Sequence, residues 1–129
     1  MYAINQLDRH YDVIVVGAGP AGSMAAWMAS ESGLKVLLLE KDREVGTPVR
    51  CAEGVAKKDL ENIIGHPALP GWVASEIINF RLFSPNGTPV SVTIEEVGYV
   101  LNRRLFDYDL ANKAVHSGAK LLTLAEVTG

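Results

Sequence analysis

The chain has 129 residues, 48% of them apolar, with a formal net charge of −3 and a single cysteine. That balance fits one compact domain with a hydrophobic core, excludes a disordered chain, and gives no basic field for gripping nucleic acid. One cysteine excludes an internal disulfide framework and fits a reducing compartment. No apolar run approaches the roughly eighteen residues of a membrane span, and Asp8, Arg9 and His10 stand where a secretion signal needs apolar residues. A cytoplasmic location is expected, with attachment to a membrane surface left open.

Asp12-Val13-Ile14-Val15-Val16 reads as a buried parallel strand, because β-branched residues follow one another without polar alternation. It runs into Gly17-Ala18-Gly19-Pro20-Ala21-Gly22. Gly17 permits a tight turn, Gly19 lets the backbone approach a pyrophosphate, and Gly22 lets a helix pack closely on the strands. The helix expected over 21–32, stopped by Gly33, aims its free N–H groups and positive dipole end at such a phosphate. Met24, Trp27 and Met28 are expected in its packed face. Lys35 to Leu39 is a second buried strand. It delivers Glu40 about twenty residues after the glycines, where a carboxylate accepts hydrogen bonds from a ribose.

Residues 41–55 read as a long loop punctuated by Gly46, Pro48 and Gly54, and long loops inside compact domains are usually functional. Lys57 to Ile64 suits a short helix with Leu60, Ile63 and Ile64 on one face. Pro70-Gly71 then opens a β region, with strands over 77–83 and 89–94 joined across Ser84-Pro85-Asn86-Gly87. Gly98 to Leu101 is short and apolar. Asn102 suits the N-cap of a helix over 103–117, Gly118 ends that helix, and 119–124 is a further strand.

The fold class is α/β, a partial Rossmann-like dinucleotide-binding fold: a parallel sheet with flanking helices and an inserted small β element. Residues 12–40 form the βαβ motif, 41–97 the loop with inserted helix and hairpin, and 98–129 a helix and strand. Half of a dinucleotide fold is present, so the chain reads as the N-terminal part of a longer protein. Cys51, beside Arg50, is either an activated thiol, since positive charge favours thiolate, or a small buried thiol without chemistry. The scattered His10, His66 and His116 do not suggest a metal site.

The block from Asp12 to Gly22 with Glu40-Lys41 resembles the FAD-binding start of flavoproteins of the p-hydroxybenzoate hydroxylase type. Pro48-Val49-Arg50-Cys51-Ala52-Glu53-Gly54, followed by Gly98 to Asp107, resembles the archaeal-type geranylgeranyl reductase family. The likeness implies an FAD-dependent reductase that saturates isolated double bonds of isoprenoid lipid chains. Its partners would be a prenylated lipid and an electron donor, NAD(P)H or ferredoxin. By matching motifs, Gly17, Gly19, Pro20, Ala21 and Gly22 would meet the pyrophosphate, and Glu40 with Lys41 the adenosine. Cys51, Ala52 and Gly54 would lie near the flavin, Arg103 would reach the cofactor from its helix start, and a strand ending near Val127 would pass the adenine. The family often has Gly where this chain has Ala52. The likeness assigns no proton donor. The alternatives are a monooxygenase or halogenase with the same opening, or a non-catalytic Rossmann remnant.

Overall fold

A computed structural model describes residues 7–51, 53–92 and 97–128. The chain divides into two compact units, Met1–Arg50 with Arg103–Gly129, and Cys51–Asn102.

The first unit is built on three parallel strands, β1 (Val13–Val16), β2 (Val36–Leu39) and β8 (Lys120–Leu122), in the order β1-β2-β8. Val13 pairs with Val36 and Leu39 with Leu122, so the strands run in step. β2 lies between the other two and its Val36, Leu37 and Leu38 are buried, as its unbroken apolar run requires. One sheet face packs on α1 (Pro20–Glu31) and α3 (Arg103–His116). The core there is small and tight: Ala18, Ala26, Val36, Leu38, Ala111, Ala114 and Ala119.

Two expectations fail here, each for its own reason. Ile14 and Val16 are 58% and 61% exposed, because β1 presents only Val13 and Val15 to the helices and nothing among the described residues covers its other face. In α1 the buried positions are Ser23, Ala26 and Ser30, whereas Met28 is exposed and Trp27 lies at the margin of the core. Small residues win the interior because α1 must come close to α3. Trp27 instead reaches along the helix to Glu31, at 2.6 Å, beneath the Lys113 ammonium of α3.

The amino-terminal ends of the strands are tied by charge. The Asp8 carboxylate accepts from Lys120 at 2.7 Å and pairs with Lys35 at 3.3 Å. These contacts hold the Asp8 carboxyl below its ordinary value of 3.8, the Lys120 hydrogen bond contributing most. Because the folded value is depressed, the contribution to stability is present above pH 3.8 and is lost as pH falls through the lower folded value. Asp8→Asn should therefore flatten the acid limb of a pH–stability curve and leave its shape near neutrality unchanged. An unaltered acid limb would show that the contact carries nothing.

The second unit holds an antiparallel sheet of β3 (Gly54–Ala56), β7 (Gly98–Leu101) and β4 (Val73–Ile77), in the order β3-β7-β4, and a separate hairpin of β5 (Phe80–Phe83) and β6 (Pro89–Val92). β3 and β4 are not legible in the sequence: the first is three residues long and begins on glycine, and the second bulges between Val73 and Ser75. The hairpin turns across Ser84–Gly87 as expected, with Phe83 opposite Pro89; the tail of its second predicted strand, at 93–94, lies outside the described residues. α2 (Lys57–Ile64) buries Leu60 and Ile64, yet Ile63 is exposed, so the apolar face is narrower than the sequence pattern suggests. Trp72 closes this unit's core, its carbonyl accepting from the Asn102 amide.

Candidate functional site

The turn after β1 is the candidate ligand-binding feature of the first unit. Gly17 has a φ of +95°, a conformation that side chains rarely adopt, and its amide donates to the Leu39 carbonyl, which fixes the turn to the end of β2. Gly19 is the N-cap of α1, in extended conformation and without a side-chain cap, and Pro20 opens the helix at a position where its missing N–H costs nothing. The first-turn amides that follow, at Ala21 and Gly22, have no partner within the helix. A Cβ added at Gly19 would meet nothing within 4 Å. The same atom at Gly22 would lie 1.9 Å from the Gly17 carbonyl oxygen. Gly22 therefore serves the packing of helix on turn, and Gly19 leaves open space at the helix's positive end. Together these features fit a diphosphate.

Glu40 is aimed at this turn. One carboxylate oxygen accepts from the Ala18 amide at 2.8 Å and the other from the Asp42 amide at 2.9 Å. The side chain thus spans the carboxyl ends of β1 and β2, where open α/β sheets bind ligands. Each oxygen retains further acceptor capacity for sugar hydroxyls. The neighbouring Lys41 is exposed and contacts Asp42 at 3.4 Å, and Asp42 also takes Arg50 at 3.2 Å.

Sequence reasoning passed over two supports. The buried Ser23 hydroxyl donates to the Ala18 carbonyl at 3.0 Å, bracing the turn from inside α1. Gly46 has a φ of +76°, and a Cβ there would lie 3.0 Å from the Arg103 carbonyl oxygen. The segment after Glu40 is consequently packed beneath the start of α3, with Val45 in the core. This is why residues 41–50 belong to the first unit instead of to the insertion. A glycine in a loop does not advertise which backbone it must approach.

The remaining candidates divide. The Arg103 guanidinium forms a two-pronged ion pair with the buried Asp107 on its own helix, at 2.7 and 2.8 Å. That pair fixes the arginine's orientation at the start of α3. β8 ends at Leu122, so Val127 lies beyond the strand and is half exposed. The Leu124 and Ala125 amides instead donate to the carbonyls of Asp42 and Glu40, which keeps the segment approaching Val127 beside the acid. Cys51 and Gly54 belong to the second unit; the thiol is exposed, against the buried alternative, and Gly54 opens β3. Ala52 lies outside the described residues. His66 and His116 contact nearby carbonyls, and no metal-holding cluster occurs among the described residues.

A parallel sheet whose first strand turns through close-packed glycines into an uncapped helix, with an acid from the second strand braced against that turn, is the opening of a Rossmann-like dinucleotide-binding fold. Residues 12–64 match the family model of FAD dependent oxidoreductases. The digeranylgeranylglycerophospholipid reductase of Methanocella arvoryzae is 49% identical over 127 residues, covering 95% of this chain and 32% of that protein. A solved geranylgeranyl bacteriochlorophyll reductase-like protein of Thermoplasma acidophilum shares 42% identity with a TM-score of 0.79, over 88% of this chain and 30% of the other. A myxobacterial FAD-dependent halogenase, 19% identical with a TM-score of 0.67 over 88% of this chain and 28% of its own, shares the fold alone. Along nearly its whole length the chain is similar to these reductases, and it spans about a third of the length of the curated relatives it matches. No helix among the described residues is long and apolar enough to cross a membrane.

Proposed function

We propose that this chain supplies the FAD cradle of an enzyme that reduces isolated carbon–carbon double bonds in geranylgeranyl chains of isoprenoid lipids. The observation that carries the reading is the pairing of open space at Gly19 with the braced carboxylate of Glu40, in a chain about half identical to reductases of such lipids. Reduced flavin supplies the hydride equivalents for this chemistry. The chain's own residues bind and orient: the amides at Ala21 and Gly22 hold the diphosphate, and Glu40 holds the adenosine ribose with Lys41 beside it. Gly17 and Pro20 set the turn that aims those amides. Arg103, fixed by Asp107, is a cofactor contact at the start of α3, and Val127 borders the adenine. Cys51, Ala52 and Gly54 shape the flavin side. The electron donor is NAD(P)H or ferredoxin, the substrate is a prenylated lipid, and the enzyme works at the cytoplasmic surface of a membrane.

A protein extended to the length of its relatives, given dithionite-reduced FAD and a geranylgeranyl glycerophospholipid, should yield products heavier by two hydrogens per double bond in mass spectra. Recovery of only unsaturated lipid from flavin-loaded protein would overturn the assignment. A narrower check uses the exposed thiol. Bound FAD should slow alkylation of Cys51 by iodoacetamide several-fold; equal labelling rates with and without cofactor would remove this residue from the flavin side.

A further inference from the structure

The first unit contains a second concavity that the cradle does not use. It is a groove of about 570 Å³ bounded by the segment at 43–45, the outer side of α3 and β8, and none of the glycine-turn residues lines it. Its base is apolar, formed by Val45, Val115 and Leu121, while Tyr108 stands half exposed at its rim. Two polar groups in its wall are unmatched among the described residues. The Thr123 hydroxyl oxygen is sealed from solvent without a hydrogen-bond partner. The exposed Arg43 guanidinium has no acidic partner, since the adjacent Glu44 is engaged by Arg104 at 3.5 Å.

An apolar trough with a few unmet polar groups is the general form of a small-molecule site. The charge left over after the Arg104–Glu44 pair is one cation at the rim. A guanidinium there selects a planar or tetrahedral oxyanion, which it can grip through two parallel N–H groups. We propose that this groove binds, as a monomer, a single-chain amphiphile with an oxyanion head: the chain lies on Val45, Val115 and Leu121, and the head rests on Arg43. The site goes beyond the flavin cradle and does not depend on it.

The test is calorimetric titration of the 129-residue chain with dodecyl phosphate below its micelle concentration. Saturable one-to-one binding is expected, with dodecyl maltoside, which has the same tail and a neutral head, binding far more weakly. Arg43→Gln should weaken dodecyl phosphate binding about tenfold, as loss of a charge-assisted contact does. Asn112→Trp, which fills the trough from α3, should abolish it. Both variants should bind FAD like the parent chain, which separates this site from the cradle. Equal dodecyl phosphate affinity in the parent and Arg43→Gln would overturn the proposal, as would dodecyl maltoside binding as tightly as the phosphate.

Discussion

Gly22→Ala should cost at least about 3 kcal/mol of folding stability, the upper end of overpacking penalties, and should lose FAD binding with it. The added methyl would lie 1.9 Å from the Gly17 carbonyl oxygen, a backbone atom that cannot rotate away as a flexible side chain could. Relief requires α1 to lift from the turn. That movement would break the Ser23–Ala18 hydrogen bond and open the alanine interface with α3. Gly19→Ala is the informative counterpart. A Cβ at Gly19 meets nothing within 4 Å and the backbone there is ordinary, so its stability should stay within about 0.5 kcal/mol of the parent. Its FAD affinity should nevertheless fall steeply, because the methyl fills the space a phosphate needs. Urea denaturation and flavin fluorescence quenching on the two variants read these effects separately. If Gly19→Ala bound FAD normally, the open space would not be the phosphate seat.

The contrast also shows which parts of the molecule a sequence can express. Strand, glycine turn, helix, strand and acid are local events, each dictated by residues within a few positions, and β1, α1, β2 and Glu40 occur where the pattern expects them. α3 is equally legible, because its start and its terminal Gly118, at a φ of +110°, are both local signals. What is hidden is nonlocal. β3 and β4 exist because β7 lies between them to take their hydrogen bonds, and neither carries enough apolar alternation to announce itself. The exposure of Ile14 and Val16 is of the same kind: composition states that β1 is apolar on both faces, but only the packing reveals that the helices occupy one of them. Parallel sheets are ordinarily covered on both sides. At the site, the identity of the turn and the acid was readable, whereas the engagement of Arg103 by Asp107 depended on which face of α3 turns inward.

Glu40→Arg should weaken FAD binding by two orders of magnitude or more, and it should also destabilise the empty chain. The two effects come from different contacts of one carboxylate. Toward the ligand, the substitution removes an acceptor for ribose hydroxyls and sets a cation in its place. Toward the protein, it leaves the amides of Ala18 and Asp42 without the oxygens that now accept from them. Hydrogen bonds to an ionised partner contribute about 1.5–3 kcal/mol each. Water can replace part of this at a half-buried site, so a loss of about 2–3 kcal/mol is expected for the pair. Glu40→Gln separates the contributions, because it preserves shape and one carbonyl acceptor while turning an NH₂ group toward one of the two amide donors. Its stability should fall by roughly half as much, and FAD should still bind, about tenfold more weakly. Chemical denaturation gives the stabilities and fluorescence titration the affinities, both measured on chains shown to be folded by circular dichroism. A folded Glu40→Arg chain with undiminished FAD affinity would mean that the acid only braces the turn, and the sugar would then have to be held elsewhere.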